Sequence, residues 1–526
     1  MGKPHALVFP IPLQGHINPM MMLAQHLNSS GFRVTFLLTE KTLVALRKHD
    51  IGAANESVRK CGAINTSCKN MQNDSILCND KSDEDAKESK LSPIEFETLP
   101  DSSMSGTDDQ SLAMSAAVLR FLDSMSLVRR KVEEILEGLD EKGEPATCIV
   151  SDSFVPWTQD VADKFGIPRI EFWSSSATVY SMGYHIPCLI DGGYLPVQPG
   201  MDREFSIDMI PGLAPFKLED FFYTNAISSP VFEVISKAFS RAKEAKSVLV
   251  NSFYDLEKDI IDALHKEGVP IVAIGPLIPL QTHTIKLQRG EEVVRVASMS
   301  LYVDDHENCL AWLDTQATQS VIYVSFGSMA SLSKEEIQEV ILGLEASQQP
   351  YLLVIRPDMM LGSSRSISKE KAHICKWAPQ INVLGHRAIG GFLTHCGWNS
   401  IMEGLSMGVP MIGCPLESEQ HTNMKCLRDE WKIAIGFDQH DYQCQTKICN
   451  YQGSSINRVK IKKELVERAV RALMQEDIGV TLRSRIQDLQ CVAQCEAHLK
   501  ASTIQRLFEE ISTISSKVLK GNAKIQ

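Results

Sequence analysis

The chain reads as an α/β protein of two facing Rossmann-like domains, with the active site in the interdomain cleft. Three observations predict this. Short β-branched apolar runs alternate with helix-like segments in both halves, the pattern of a parallel, doubly wound sheet. The 526 residues exceed one ordinary core and divide into two units of roughly 200–250 residues. A loose polar segment, about Gln281 to Ser300, separates the two alternating patterns.

The elements follow in order. Ala6 to Phe9 is the first apolar run. A Pro/Gly loop leads to a helix with Asn18 as N-cap and Pro19 in its first position, stopped by Gly31. Arg33 to Leu38 is the next β-rich run. Thr147 to Val150, then Pro156 to Lys164 with Gly166 as its stop, then Arg169 to Trp173, repeat the unit. In the second half Val321 to Phe326 reads as a buried strand. Ser333-Lys334-Glu335-Glu336 is a capping box, and Ile337, Val340, Ile341 and Leu344 keep helical spacing behind it. Tyr351 to Ile355 and Ile389 to Leu393 are further strands, and Ser400 to Ser406 is a short helix stopped by Gly408 and Pro410. The expected boundaries are 1–265 for the first domain, with a polar insert at 55–92, and 266–305 for the linker. The second domain takes 306–495, with an insert at 438–458, and a C-terminal helix, 496–526, returns to the first domain.

Composition narrows the function. A hydrophobic share of 44% and a charged share of 22% describe a soluble globular protein. The net charge of −12, with no long basic stripe, argues against nucleic acid or an anionic membrane surface as partner. The apolar run Val269 to Leu280 is broken by Pro270, Gly275, Pro276 and Pro279 and is shorter than the ~18 residues of a spanning helix. The 14 cysteines form no C-x-x-C pair, so reduced thiols in the cytoplasm are expected rather than a zinc site. The sequon Asn65-Thr66-Ser67 then goes unused.

The chemistry concentrates between Trp377 and Gln420. There His395-Cys396-Gly397-Trp398-Asn399-Ser400 links a buried strand to a helix start. The first N–H groups of a helix lack partners and carry partial positive charge, so this turn is a ready anion site. Asn399 and Glu403, four residues apart, share one face of the helix.

This stretch resembles the signature box of plant UDP-dependent glycosyltransferases of family 1, the secondary-product type. Phe9-Pro10 to Pro19 (FPIPLQGHINP), Leu249 to Glu257 (LVNSFYDLE), Ile274 to Leu277 (IGPL) and Trp312 to Ser328 (WLDTQATQSVIYVSFGS) resemble further landmarks of that family, in family order. The resemblance implies the GT-B architecture and inverting transfer of glucose from UDP-glucose to a hydroxyl of a small lipophilic acceptor. The chain is further expected to need no cofactor and no metal, to have no membrane anchor and to be a monomer in the cytoplasm.

The resemblance assigns roles residue by residue. His16, by position alone a loop histidine capping a helix, matches the catalytic base, and an imidazole can accept a proton near neutral pH. Asp152, by itself an N-cap or a polar strand end, matches the carboxylate that orients the base. Trp377 matches the ring that stacks on uracil, although a core tryptophan would look the same. Ala378 and Gln380 match positions beside the uridine, and His395, Asn399 and Ser400 match diphosphate contacts, helped by Ser328. Glu403 matches the ribose-binding carboxylate. Trp398, Glu419 and Gln420 match the sugar-holding positions, with Glu419 in place of the more frequent aspartate and Gln420 favouring glucose. Separately from the resemblance, Phe154, Trp157, Phe172, Trp173 and His185 are the expected acceptor contacts in the first domain, although the same side chains would serve a core equally well. The D-x-D run Asp83-Glu84-Asp85 reads as a solvated charge run.

Two rival readings stand beside this one. An NAD-dependent oxidoreductase on a similar sheet lacks its G-x-G-x-x-G after a first strand. A catalytically impaired UDP-sugar-binding protein is suggested by the shortened segment between Pro357 and Trp377.

Overall fold

Seven parallel strands form the first sheet. They are β1 (His5–Phe9), β2 (Arg33–Thr39), β3 (Glu95–Leu99), β4 (Cys148–Asp152), β5 (Arg169–Trp173), β6 (Ser247–Val250) and β7 (Ile271–Ala273), in spatial order 3-2-1-4-5-6-7. The second sheet holds six, β8 (Val321–Ser325), β9 (Tyr351–Val354), β10 (Ala372–Cys375), β11 (Ile389–Thr394), β12 (Met411–Gly413) and β13 (Ala434–Gly436). Their order is 10-9-8-11-12-13, so the second sheet repeats the winding of the first. In each sheet the order reverses beside the first strand, between β1 and β4 and between β8 and β11. Ligands of doubly wound sheets bind at such switch points.

This computed structural model describes residues 3–44, 94–100, 125–197, 201–202, 205–221, 230–278, 283–286, 293–296, 306–327, 332–355, 370–437, 447–449, 455–457 and 461–522. Ser328, the run Asp83 to Asp85, the insert at 55–92 and the residues 356–369 lie outside them. Within the segment expected to be loose, His283–Lys286 pairs antiparallel with Val293–Val296. Within the second insert Lys447–Cys449 pairs with Ser455–Asn457.

Helices cover both faces of each sheet. In the first half α1 (Gln14–Ser29) lays Met20, Leu23 and Leu27 on one face. On the other face α2 (Met125–Glu141) contributes Val128, Val132 and Leu136, and α3 (Thr158–Phe165) contributes Val161 and Ala162. Gly166 closes α3 at φ 64°, as its sequence position predicts. Beyond β5 lie α4 (Ala177–Tyr184), α5 (Ile186–Asp191), α6 (Pro230–Ala238) and α7 (Lys258–Lys266).

In the second half α8 (His306–Asp314), α9 (Lys334–Ser347), α10 (Gln380–Leu384), α11 (Trp398–Ser406), α12 (Gln420–Lys425) and α13 (Lys463–Gln475) surround the sheet. The expected capping box opens α9. The Ser333 side chain accepts from the Glu336 N–H and the Glu336 side chain accepts from the Ser333 N–H. The last helix, α14, runs unbroken from Asp477 to Asn522, so the expected boundary at 495 falls inside it. Ile486 and Ala493 pack in the second half's core, and Ile504, Phe508 and Ile511 in the first's. Phe508 meets Phe32 edge-on, ring centroids 5.2 Å apart.

Two sequence expectations need correction. Helix α1 begins at Gln14 after Leu13, not at Pro19, so His16 sits in its first turn and Pro19 inside it. Proline favours the first turn, where its missing N–H costs nothing, and that preference placed the start too late. Strand β10 was not expected. Its run Ala372-His373-Ile374-Cys375 carries no clear alternation, yet it pairs with β9 from Tyr351↔Ala372 to Val354↔Cys375.

Candidate active site

Strand pairing builds the first half of the site. β1 and β4 are neighbours, with Val8 beside Val150 and Phe9 beside Ser151. His16, a turn after β1, therefore meets Asp152 at the end of β4. His16 Nδ1 lies 2.6 Å from Asp152 Oδ2, and the Asp152 side chain is fully buried. The second carboxylate oxygen, Oδ1, accepts the Phe154 N–H at 3.0 Å. Both oxygens are thus fixed. With Nδ1–H directed at the carboxylate, Nε2 keeps the lone pair.

Two contacts of the imidazole were not read from the sequence. The Ser174 hydroxyl, just past β5, lies 3.1 Å from His16 Nδ1. The Phe154 ring stands edge-on to the imidazole, centroids 5.7 Å apart. Ser174 shares a sheet edge with Asp152, which is the signal that could have found it. Burial pulls the imidazole's proton affinity down. The charge and hydrogen bond of Asp152, helped by Glu419, outweigh it, so His16 titrates above its ordinary 6.5.

The other half is built on β11 and α11. The turn between them puts Cys396 at φ 64°, a left-handed conformation that side chains adopt only when surroundings enforce it. The Cys396 N–H donates to Thr394 Oγ1 at 3.3 Å, and its carbonyl accepts Asn423 Nδ2 at 3.0 Å. The first N–H groups of α11, which follow this turn, lack helical partners. The His395 ring lies where side chains on two glycines would collide with it. A Cβ on Gly327 (φ +74°) would stand 2.7 Å from the ring, and one on Gly397 2.4 Å. Burial pushes His395 down to about 4, so at neutral pH it is an uncharged donor and not a cationic clamp.

Glu403 is held by a chain of hydrogen bonds. Tyr323, stacked on Phe392, donates to Gln380 Oε1 at 3.0 Å. Gln380 Nε2 donates to Glu403 Oε2 at 2.6 Å and to Ser400 Oγ at 2.9 Å. Burial raises Glu403 to about 7, with the Gln380 bond opposing. Tyr323 is a further residue the sequence did not single out, since a buried strand tyrosine reads as core. Ala378 is buried and Trp377 half-buried, directly after β10.

At the sugar positions the structure separates three residues. Glu419, beside Ser418 at φ 56°, is raised by burial, with its own backbone N–H and the charge of His16 opposing. Gln420 is buried, and its Oε1 accepts the N–H groups of Leu416 and Glu417 at 2.8 and 3.0 Å. Only the NH2 end of Gln420 is left for a ligand. Trp398 departs from expectation. Its indole is 3% exposed and donates to the Asn251 carbonyl of the first half at 2.7 Å, so the ring spans the two halves and leaves only its backbone N–H for the cleft. Of the expected acceptor contacts, Phe154 meets the His16 ring, Phe172 and Trp173 are buried, and His185 bonds Glu267 Oε1 at 3.0 Å.

Two further bonds cross the cleft. Asn399 Nδ2 donates to the Gly15 carbonyl at 3.0 Å, and Thr422 Oγ1 to the Asp220 carbonyl at 2.5 Å.

The described residues hold no helix long and apolar enough to cross a membrane. Comparison with known proteins adds the following. Residues 292–440 match the family model described as UDP-glucoronosyl and UDP-glucosyl transferase. The chain is 32% identical to UDP-glycosyltransferase 85A1 of Arabidopsis thaliana over 99% of this chain and 97% of that one. It is 30% identical to (R)-mandelonitrile beta-glucosyltransferase of Prunus dulcis, with 97% of each covered, and 32% identical to 7-deoxyloganetin glucosyltransferase of Gardenia jasminoides, with 92% of each covered. Among solved structures, a UDP-glucosyltransferase of Polygonum tinctorium aligns with TM-score 0.68 and 26% identity, over 98% of this chain and 99% of that one. One from Medicago truncatula, complexed with UDP-glucose, aligns with TM-score 0.70 and 23% identity, over 97% and 98%.

Proposed function

This chain belongs to the UDP-glycosyltransferase family, and from that premise we propose that it transfers glucose from UDP-glucose to a hydroxyl of a small lipophilic acceptor. The fold is GT-B. The observation that carries the reading is the His16–Asp152 pair at one switch point, facing the start of α11 at the other. His16 Nε2 takes the proton of the acceptor hydroxyl as that oxygen attacks the anomeric carbon in line. The bond from that carbon to the β-phosphate oxygen breaks, and UDP leaves. A β-glucoside results, with inversion.

Each remaining residue has a part in this reading. Asp152 holds the imidazole tautomer and stabilises the imidazolium. The N–H groups of α11, neutral His395 and Asn399 meet the charge growing on the diphosphate, without a metal. Glu403 accepts from the ribose diol, and Trp377, Ala378 and Gln380 frame the uridine. Glu419 and the Gln420 NH2 group bind glucose hydroxyls. Two relatives are named for mandelonitrile and 7-deoxyloganetin, which supports a small acceptor. We further read the chain, with no C-x-x-C pair among its 14 cysteines, as a cytoplasmic monomer.

Incubation with labelled UDP-glucose and a panel of alcohols and phenols tests this directly. Glucoside and UDP should appear in equal amounts, with UDP-glucose used more efficiently than UDP-galactose. A protein that is stabilised by UDP yet glucosylates nothing would be a binding protein instead.

Gln420→Glu gives a sharper result. One carboxylate oxygen can still accept both loop N–H groups, so the fold should be kept. The donor end becomes an acceptor, and KM for UDP-glucose should rise about 10- to 100-fold, because a sugar hydroxyl that accepted from the amide loses its donor. UDP itself should bind as before. Gln420→His should erode the preference for glucose over galactose. An unchanged KM in Gln420→Glu would remove Gln420 from the sugar site.

A further inference from the structure

Pro19 lies inside α1, four residues after Gly15. In an α-helix the N–H of a residue bonds the carbonyl four positions before it. Proline has no N–H, and its ring crowds that same carbonyl. The Gly15 carbonyl is therefore left without its helical donor. It turns to the other half of the molecule and accepts Asn399 Nδ2 at 3.0 Å. Gly15 directly precedes His16, and Asn399 is the second residue of α11.

We propose that Pro19 is a positioning residue. By withholding a donor from the Gly15 carbonyl, it gives that carbonyl to Asn399 and ties the helix that carries His16 to the helix that faces the donor diphosphate. The amide of Asn399 has two N–H donors. One can hold Gly15 while the other addresses the diphosphate, so a single side chain references the base and the leaving group to each other. The inference rests on the proposed role of α11 as the diphosphate site. It also explains why a helix breaker occupies a helix interior next to the base, where alanine would be the better helix former.

The substitution Pro19→Ala separates positioning from structure because the two predict opposite signs. Alanine restores an N–H that recaptures Gly15, so the melting temperature should hold or rise. UDP should bind within about twofold of wild type. The turnover number should fall about 10- to 100-fold, the scale of losing near-attack geometry. In an Asn399→Ala background, where no strut exists, Pro19→Ala should change turnover no further. A crystal structure of Pro19→Ala should show the Gly15 oxygen bonded to the new amide at position 19 and released by Asn399.

Wild-type turnover in Pro19→Ala would overturn the proposal. So would an equal loss of turnover in the Asn399→Ala background, or a Gly15 oxygen still held by Asn399 in the crystal. If the wild-type protein transfers no sugar at all, the functional reading fails instead, and the crystal structure alone decides whether the strut depends on Pro19.

Discussion

His16→Ala should lower turnover by about 10²- to 10⁴-fold while leaving UDP affinity nearly unchanged. General base catalysis supplies an effect of that size, and His16 lies across the cleft from the nucleotide positions. The loss should depend on the acceptor. A phenol, with a pKa of about 10, needs less help than an aliphatic alcohol, so phenols should retain more of their rate. Turnover measured on both classes, with UDP affinity by calorimetry, checks this. Full activity on an aliphatic alcohol would end the assignment of His16 as base.

Asp152→Asn should be nearly as damaging, about 10²- to 10⁴-fold, as when the carboxylate of a catalytic triad is neutralised. An amide can donate to Nδ1 and so stabilise the tautomer with its proton on Nε2, where no lone pair is left for the acceptor. The pH profile gives an independent sign. His16 must be neutral to act, and in the wild type it titrates above 6.5. kcat/KM should therefore fall as pH drops through that raised value. In Asp152→Asn the attraction that raised it is gone while burial persists, so the acidic limb should move to lower pH even as the plateau drops. A limb that stays in place would mean that a group other than His16 controls it.

The doubly wound fold was legible because alternation and stop signals carry it. Gly166 and the Ser333 box ended and opened their helices where expected. The approach of His16 to Asp152 was legible too, since adjacent strands in a parallel sheet present their carboxyl ends together. Side-chain direction was not. Trp398 has the same sequence neighbours whether its indole faces a sugar or a facing domain, and only tertiary packing turns it toward Asn251. The contacts of Ser174 and Tyr323 depend on strand register, which sequence spacing does not specify. The start of α1 was misread because proline's preference for a first turn is only a local tendency, and here the helix runs from Gln14 through Pro19.

Helix α14 has a consequence for the order in which this molecule can be finished. The core on the α1 side of the first sheet, with Phe32 at its edge, is closed by Ile504, Phe508 and Ile511. During synthesis, at about 5–20 residues per second, those residues emerge about 10–100 s after the strands they cover. Until then the first half has a complete sheet but an apolar flank without its lid. It cannot reach its final stability as a separately folded domain, whatever its secondary structure has achieved. The contacts that complete it are among the longest in sequence that the chain makes, and such contacts are slow to form. A nascent chain of this kind spends its most vulnerable interval with the first sheet synthesised but its flank uncovered, until α14 arrives.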